Sequence, residues 1–334
     1  MKQALKVLAA RVLDSLGVFD RFEKTHRAIN VLMFHQISNK INSLGLSITP
    51  ELFEELVVFL NNRYGIISLG EAVDRLTSGN QLSGCVFTFD DGYRDNYDFA
   101  FPILMKHKTP ATIFVTLDAL DTGVFSWDMF DQAIVQTTAD AIDLEHFGLE
   151  TYRMSGTDRT TVIADLHRSL KRLPNDKKSQ IVQYVITTYG DDKNKQRTML
   201  TWEEAREMAN SGLITIGAHT ITHPILSRVD SAQAHHEIVA GKSLIEDRLG
   251  LPVRYFAYPN GGMSDFNDEH VTMVKQAGYL AACSTIAGTN DHQSNLFTLR
   301  RIDVTTRMCT DSAGRFLPSL LFAKMSGIFI RSRA

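Results

Sequence analysis

The chain of 334 residues contains little cysteine. Its three cysteines, Cys85, Cys283 and Cys309, are odd in number, lie far apart in the sequence and include no CxxC pair. This pattern argues against a disulfide framework and against a zinc site built from thiolates. Because such a cysteine content suits a reducing compartment, we expect the protein to be cytoplasmic.

Long apolar runs are also missing from the sequence. The most apolar stretch, 316–330, is interrupted by Pro318 and Lys324, so it falls short of the roughly 18 uncharged residues that a membrane-spanning helix needs. Near the N-terminus, Arg11 and Asp14 interrupt the apolar residues, which is not typical of a secretory signal. The sequence therefore predicts neither a spanning helix nor a signal peptide.

An excess of positive charge is absent as well. The 35 Lys and Arg residues face 38 Asp and Glu residues, for a net charge of −3. A protein that binds nucleic acid by neutralising phosphates is usually basic, so we expect no nucleic-acid partner. The GxGxxG, GxxxxGK[ST] and GxSxG motifs are missing too, which argues against nucleotide binding and serine-hydrolase chemistry.

Short β-branched or aromatic runs recur along the chain and alternate with segments of helical apolar spacing. This alternation is typical of an α/β fold in which helices cover a parallel sheet. The predicted strands are 31–35, 85–90, 112–116, 214–219, 255–258, 280–285 and 299–304.

The spacing of the strands is interrupted once. Roughly 80 residues, from about 117 to about 199, separate the third predicted strand from the fourth, where a single crossover is usual. Within this insertion, the segment 160–189 is helix-prone and carries Ile163, Leu166, Leu170 and Leu173 on one face. We expect a helical subdomain, which either gates the substrate or only elaborates the packing.

Two polar blocks stand at the ends of predicted strands. Residues 88–92 read Thr-Phe-Asp-Asp-Gly, and residues 219–224 read His-Thr-Ile-Thr-His-Pro. The carboxyl ends of barrel strands are where α/β barrels assemble active sites, although a lone Asp-Asp-Gly also suits a turn and helix cap. Two imidazoles and one carboxylate make a three-ligand site that leaves a position for water, as in catalytic zinc enzymes.

A third block, 254–262, reads Arg-Tyr-Phe-Ala-Tyr-Pro-Asn-Gly-Gly and leads a strand into a loop whose backbone N–H groups can bind an anion. In this order, the three blocks resemble the polysaccharide deacetylases of the NodB-homology group, carbohydrate esterase family 4. The resemblance covers about 28–305 and includes Val-Leu-Met-Phe-His at 31–35 and Thr-Trp-Glu-Glu at 201–204. The Phe-His pair at 34–35 resembles the Tyr-His or Phe-His pair that family members acting on exopolysaccharides often have at this position.

The resemblance implies a fold and an activity. The fold would be a distorted, incomplete (β/α)7-type barrel with a helical insertion. The activity would be metal-dependent removal of N-acetyl groups from a polysaccharide, oligosaccharide or lipid-linked glycan that contains N-acetylhexosamine, and this glycan is the expected partner. A non-catalytic glycan-binding protein on a degenerate barrel, and an O-acetyl esterase or deformylase, remain alternatives.

The resemblance also implies roles for individual residues. Asp91, His219 and His223 would be the metal ligands, and Asp90 would be the general base. A His-His-carboxylate set suits zinc, although the same ligands accept other first-row ions. A bound metal makes water more acidic, and a neighbouring carboxylate can accept the proton that the water loses.

The third block is implied to stabilise the oxyanion of the reaction. The loop consists of Tyr258, Pro259, Asn260 and Gly261, and the N–H donor of the family pattern aligns with Asn260.

The chain departs from the family pattern in two ways. The Arg that usually orients the base aligns with Ala257, and the late Leu-x-His motif that supplies the general acid is missing. We hypothesise that Arg301, or the adjacent Arg300, pairs with Asp90 instead. We further hypothesise that His35 protonates the leaving amine, the alternative being a hydrogen-bonded structural histidine.

Trp127 lies beside Asp128 in the insertion. An indole face suits the apolar face of a pyranose, so Trp127 could stack on a sugar, or it could anchor the insertion to the barrel.

The sequence divides into three parts: an amphipathic N-terminal helix over 1–27, the deacetylase barrel over 28–310, and a basic, apolar C-terminal tail over 311–334. Basic residues interleaved with apolar ones suit an anionic lipid surface. Both ends could therefore hold the protein at the inner face of the membrane, or they could simply dock on the barrel.

Overall fold

Seven parallel strands form a closed barrel in the computed structural model, which describes residues 2–25, 27–39, 45–78, 82–190 and 196–327. In chain order the barrel strands are β1 (Ile29–Phe34), β2 (Gly84–Phe89), β3 (Ala111–Val115), β4 (Ile214–Ala218), β5 (Tyr255–Ala257), β6 (Ala281–Ala287) and β7 (Leu299–Asp303). Each strand pairs with its neighbour in sequence, and β7 closes the barrel on β1.

The barrel is regular on one side and distorted on the other. Strands β1 and β2 pair in register along their length, from Ile29 opposite Gly84 to Phe34 opposite Phe89. By contrast, β4 and β5 meet at one residue pair, and the register between β6 and β7 shifts. With seven strands where a complete barrel has eight, the structure confirms the predicted distorted, incomplete (β/α)7-type barrel.

Helices cover the outside of the barrel and build the insertion and the termini. In the described part of the chain they are α1 (Lys2–Ser15), α2 (Val18–Thr25), α3 (Pro50–Tyr64), α4 (Leu69–Ser78), α5 (Phe101–Lys106), α6 (Leu117–Thr122), α7 (Ser126–Gln136), α8 (Arg159–Leu170), α9 (Asn175–Tyr189), α10 (Trp202–Asn210), α11 (Ser231–His235), α12 (Gly241–Leu249), α13 (Asp268–Gln276), α14 (Thr306–Cys309) and α15 (Pro318–Met325). Short strand pairs lie at Gln36–Ile37 with Ser47–Ile48 and at Ala141–Ile142 with Tyr152–Arg153.

Capping residues in the sequence determine where several helices begin. Thr49 accepts a hydrogen bond from the Leu52 N–H at the start of α3, and Pro50 occupies the first turn, where its missing N–H has no effect. Thr201 and Glu204 form a reciprocal capping box at α10. Local chemistry therefore sets these boundaries before any tertiary contact is made.

The strands alternate between two apolar surfaces, because successive side chains of a strand point to opposite faces. Leu32, Phe34 and Phe87 belong to the core between the barrel and its outer helices. Val31 and Val86 belong to a second cluster, which also contains residues of β5, β6, β7 and α4, and its strand residues line the barrel interior. Side chains that continue this inner series beyond the strand ends must therefore face the barrel mouth.

The insertion forms a helical subdomain with a core of its own. Helices α7, α8 and α9 pack around buried residues that include Ile134, Ile163, Leu166 and Ile181. The predicted apolar face of 160–189 is buried here, with Leu173 at its partly exposed edge. The predicted helical insertion is confirmed.

The N-terminal segment differs from the single helix expected over 1–27. It forms two helices, α1 and α2, because Gly17 adopts φ +67 and turns the chain between them. Helix α1 packs against α15, and Phe19 contacts Phe322 with ring centroids 6.0 Å apart. Within the described residues, no helix is long and apolar enough to cross a membrane. The last residues of the predicted tail, 328–334, lie outside the described residues.

Candidate active site

Polar side chains gather where the carboxyl ends of the barrel strands meet. Asp90 follows β2 by one residue and continues the inward-facing series of Val86 and Thr88. By the same alternation, His35 follows β1 and His219 follows β4 on the inner side. These three sequence-predicted residues therefore reach one cleft although they lie far apart in the chain.

Asp91, His219 and His223 form one compact group. The Oδ1 atom of Asp91 lies 3.6 Å from Nε2 of His219 and 3.4 Å from Nε2 of His223. One ligand atom of each residue lies within 4.8 Å of the others. Asp91 and His219 are buried, and His223 is nearly so. Two imidazole nitrogens and a carboxylate oxygen at this spacing suit a divalent metal.

The hydrogen bonding of this group also fits a cation. Asp91 Oδ1 is buried and has no hydrogen-bond partner among the described residues, although buried polar atoms are normally paired. Nδ1 of His219 lies 2.8 Å from the carbonyl oxygen of Ala257. Because a carbonyl can only accept, Nδ1 carries the hydrogen and the Nε2 lone pair faces Asp91. Burial lowers the pKa of His219 to about 4, so this ring is a neutral ligand near pH 7.

The loops that carry these side chains have an unusual backbone. Of the five non-glycine residues with positive φ in the described chain, four lie here: Asp91, Thr220, His223 and Asn260. A β-branched residue such as Thr220, at φ +68, is especially unfavourable in this region. Such strain costs about 1–3 kcal/mol per residue and persists where the surroundings enforce it.

Glu237 is the group that enforces the His219–His223 turn. It is buried, and its Oε2 accepts hydrogen bonds from the N–H groups of Ile221, at 2.7 Å, and Thr222, at 2.9 Å. Its Oε1 accepts from the Thr222 hydroxyl. The Thr220 hydroxyl in turn accepts from the His223 N–H at 3.1 Å. These bonds hold the two histidines in their strained turn.

Asp90 is paired with Arg301 in a buried, bidentate ion pair. The two guanidinium NH2 nitrogens donate to Oδ1 and Oδ2 of Asp90, each at 2.7 Å, and Nε donates to the Ser284 carbonyl at 2.7 Å. Burial alone would raise the pKa of Asp90, but the Arg301 charge outweighs it and holds that pKa well below its usual range. Asp90 is therefore an anion near pH 7.

Strand alternation decides between the two candidate arginines. Arg301 points into the barrel like Leu299, two residues before it. Arg300 points to the outside of β7, is exposed and packs against Gly288. Arg301 is therefore the arginine that pairs with Asp90.

His35 faces the same cleft as Asp90 and Asp303. Its backbone carbonyl accepts a hydrogen bond from the Asn96 side chain at 2.9 Å, whereas its buried Nδ1 has no partner among the described residues. Burial lowers the pKa of His35, with the charge of Asp90 opposing this shift. The His35 backbone is held in position, and Nδ1 of its ring remains available for a ligand.

In the loop 258–261, Tyr258 is buried in the protein and Asn260 lies at the edge of the cleft. Tyr258 is fully buried: its hydroxyl donates to the Phe297 carbonyl at 3.0 Å, and its ring stacks on Phe266 at 4.0 Å. Asn260 lines the cleft. Gly261 is required next to it, because a Cβ there would lie 2.8 Å from the Tyr258 carbonyl oxygen. The Tyr258 side chain therefore supports the loop from behind and does not enter the cleft.

The cleft has a volume of about 340 Å³, and the insertion forms one of its walls. Trp127 lies there, with its ring 4.8 Å from His167 and 5.8 Å from Phe130, so it both lines the cleft and packs on the insertion. The Tyr93 hydroxyl donates to Asp128 at 3.2 Å, and burial raises the pKa of Asp128 to about 7.

Sequence reasoning missed several of the wall residues, namely Tyr93, Asp131, His167, Lys171 and Lys178. The sequence could have identified Lys178, because it lies on the apolar face of α9 with Ile181, Val182 and Val185, where a lysine is unexpected.

The fold and this group of residues define an α/β barrel with a candidate metal centre at its mouth. A family model described as polysaccharide deacetylase matches residues 82–176 and 172–282, more than half of the chain. The chain therefore belongs to the polysaccharide deacetylase family.

The chain is also similar to individual proteins of known sequence or structure. Over 310 residues the chain is 25% identical to "Putative polysaccharide deacetylase YxkH" of Bacillus subtilis (strain 168), covering 92% of this chain and 82% of that protein. Streptococcus pyogenes deacetylase PplD, solved in complex with acetate, shares the fold with a TM-score of 0.59 and 20% identity over 89% of this chain and 98% of that chain. IcaB from Ammonifex degensii shares it with a TM-score of 0.54 and 20% identity over 83% and 91%.

The ion pair predicts unequal effects at the two adjacent arginines. Arg301→Met leaves Asp90 buried without its partner and should lower the free energy of unfolding near pH 7 by about 3–5 kcal/mol. Arg300→Met changes an exposed side chain and should stay within about 0.5 kcal/mol of the original chain. Guanidinium unfolding curves measure both.

The loss at Arg301 should also depend on pH. Because Arg301 lowers the folded-state pKa of Asp90, the pair stabilises the fold above the unfolded-state pKa of about 4 and loses this effect as the pH falls below it. Equal losses in the two variants, or a loss independent of pH, would contradict the assignment.

Proposed function

We propose that the chain is a metal-dependent N-deacetylase. Its substrate would be an N-acetylhexosamine unit of a polysaccharide, an oligosaccharide or a lipid-linked glycan. The observation that carries the proposal is the buried Asp91-His219-His223 group lying beside a charge-paired carboxylate in the open cleft of a polysaccharide-deacetylase barrel.

Asp91, His219 and His223 would hold the metal, with zinc as the leading candidate because two neutral imidazoles and one carboxylate suit it. When bound, the metal supplies Lewis-acid chemistry that polarises a carbonyl oxygen and makes water more acidic. The unpartnered Oδ1 of Asp91 supports this assignment, since a cation would satisfy it.

Asp90 would act as the general base. Its pairing with Arg301 keeps it ionised, and each carboxylate oxygen retains a lone pair beyond the one that accepts from the guanidinium. Asp90 can therefore take a proton from the water whose oxygen attacks the acetamide carbonyl carbon.

His35 would act as the general acid. As the C–N bond breaks, the leaving amine nitrogen needs a proton, and the histidine that lines the cleft beside Asp90 can donate it. The missing hydrogen-bond partner of Nδ1 supports a role toward a ligand over a structural one. The products are acetate and the amine of the sugar.

The backbone N–H of Asn260 would stabilise the oxyanion. Asn260 adopts φ +59 on the rim of the cleft, and its carbonyl accepts from Thr285, which holds the turn. No hydrogen bond within the described residues uses its N–H, which leaves this donor for a substrate oxygen. Trp127 would offer its ring to a sugar bound along the insertion wall.

The termini support a further proposal, a peripheral contact with an anionic membrane at its inner face. Leu5, Leu8 and Val12 on α1, with Leu16 directly after it, form a stripe whose residues are 48–70% exposed, while the opposite side of the helix packs on α15. Lys6 and Arg11 are exposed on the same helix. An apolar stripe flanked by basic residues suits the boundary between anionic headgroups and acyl chains.

The metal assignment predicts which histidines retain zinc. His219→Ala and His223→Ala should each reduce bound zinc after dialysis from about one ion per chain to near zero, because two protein ligands rarely hold zinc. His235→Ala, which removes an exposed imidazole on α11, should keep the full amount. Elemental analysis provides the measurement, and full zinc retention in His219→Ala would refute the site.

The acid assignment predicts a loss of turnover without a loss of metal. His35→Gln should lower kcat for acetate release from N-acetylglucosamine oligomers by about 10²–10⁴-fold at unchanged zinc content, because only the proton donor is removed. His236→Gln, at an exposed position, is the matched control. Unchanged kcat would exclude catalysis by His35, and loss of zinc would make it a ligand.

The same assay separates the alternative functions. Bound zinc without acetate release from any acetylated glycan would favour a glycan-binding module, whereas release from O-acetylated glycans alone would favour an esterase.

The membrane proposal predicts a vesicle preference. Full-length protein should co-sediment with phosphatidylglycerol-containing vesicles more than with pure phosphatidylcholine, and Leu5→Gln with Leu8→Gln should abolish the difference because the buried apolar area is lost. Leu244 on α12 and Leu251 in the loop after it are also exposed, and the double variant Leu244→Gln with Leu251→Gln should keep the vesicle preference. Equal partitioning of all three proteins would remove the proposal.

A further inference from the structure

Lys178 is a buried cation for which the described residues provide no ion pair. It lies in the first turn of α9 and is 6% exposed. No carboxylate of the described chain lies within 4.0 Å of its ammonium group, and the centroid of the Trp127 ring lies 5.7 Å from Nζ. Buried charges in proteins are normally paired or bind a ligand, and a cation–π contact compensates only part of the lost hydration.

The surrounding charges do not balance Lys178 either. Burial, followed by repulsion from Lys171, lowers the pKa of Lys178 to about 8, so the ammonium stays mostly protonated near pH 7. Glu237 is the acid that acts on it in the opposite direction. Both oxygens of Glu237 are already used by Ile221 and Thr222. The positive charge of Lys178 is therefore left for a partner from outside the chain.

Lys178 stands at the junction of two cavities. The cleft with the candidate metal group shares Phe125, Trp127, Lys178 and His223 with a second cavity of about 290 Å³. A ligand seated at the metal group can therefore extend past His223 into the second cavity without leaving the surface of the protein.

The second cavity has apolar residues on part of its wall, and the polar residues on the rest of the wall are mostly neutral. Asn175, Ser179 and Gln183 lie there on one face of α9, at the spacing that places residues on one side of a helix. Thr222 faces them from the His219–His223 loop. Asp118 is the one carboxylate on the wall among the described residues. Hydroxyl and amide groups around a single buried ammonium suit a polar ligand that carries one negative charge.

We infer that the second cavity is a subsite for a sugar unit that carries an oxyanion, either a carboxylate or a phosphate, next to the unit that is deacetylated, with Lys178 as its counter-ion. This inference rests on the proposed function and narrows its substrate to acidic glycans. Asn175, Ser179 and Gln183 provide hydrogen bonds to the same sugar, and Lys178 determines specificity without contacting the acetamide.

Calorimetric binding to the zinc-loaded full-length protein tests the subsite with two pairs of probes. The carboxylate pair is a tetrasaccharide of alternating glucuronate and N-acetylglucosamine and its carboxyl-reduced counterpart. The phosphate pair is N,N′-diacetylchitobiose 1-phosphate, whose phosphate lies on the unit next to the terminal N-acetylglucosamine, and N,N′-diacetylchitobiose. One acidic probe should bind about tenfold or more tightly than its neutral partner, as expected for a hydrogen bond to a charged group.

Substitutions then assign this preference to Lys178. Lys178→Met should reduce the acidic-to-neutral affinity ratio to about one, Lys178→Arg should keep a preference because it keeps the charge, and Lys177→Met, on the exposed side of the same helix, should keep the full ratio. A Lys178→Met protein that retains the preference, or an original chain that prefers neither acidic probe, would overturn the inference. Absence of binding by all four probes would overturn it as well.

Thermal unfolding of Lys178→Met gives a readout that needs no ligand. Replacing an unpartnered buried ammonium by an apolar side chain of similar length should leave Tm unchanged or raise it, whereas loss of a protein ion pair would lower it. A large fall in Tm would show that Lys178 has a structural partner and would contradict the inference. Acetate release from neutral N-acetylglucosamine oligomers tests the proposed function separately, so failure of one leaves the other measurable.

Discussion

The bidentate ion pair between Asp90 and Arg301 joins the end of β2 to β7 inside the barrel and determines the electrostatics of the whole cleft. Asp90 and Asp91 are consecutive buried carboxylates, and both could not remain ionised without compensation. Arg301 compensates the first. Burial and then the Asp90 charge raise the pKa of Asp91 well above its usual range, which is the environment that a cation between Asp91 and the two histidines would reverse.

The barrel geometry explains how these charged side chains are positioned at the barrel mouth. Alternation along the strands directs His35, Asp90, His219 and Arg301 inward above an apolar layer that contains Val31, Val86 and Phe114. Positive φ angles at Asp91, Thr220, His223 and Asn260 then bend the loops across the mouth. Apolar packing below and hydrogen bonds from Glu237 beside the mouth provide the rigidity that this strained backbone requires.

Much of this arrangement could be predicted from the sequence, because it depends on local patterns. The β-branched runs mark the strands, and the Asp-Asp-Gly and His-x-x-x-His blocks mark two strand ends. To choose Arg301 over Arg300, one must know which residues of β7 point into the barrel. The buried Leu299 points inward, so Arg301, two residues later, does so too. Gly17 could also have predicted that the N-terminal segment forms two helices, because a glycine often adopts the positive φ that ends a helix.

The remaining features depend on contacts between distant segments. The Tyr258 side chain leaves the cleft because Phe266 stacks on it, and Trp127 and Lys178 reach the cleft because the insertion folds its helices over the barrel mouth. Helical periodicity predicts that α8 and α9 bury an apolar face, but it does not specify which polar residues then line a cavity.

Anomalous diffraction from zinc-soaked crystals of the full-length protein tests the central claim most directly. The account predicts one strong zinc peak at about 2.0–2.2 Å from an Asp91 carboxylate oxygen and from Nε2 of His219 and His223, with Asp90 still bound to Arg301. A zinc peak that uses Asp90 after separating it from Arg301, or a cleft without any peak at these three ligands, would contradict it.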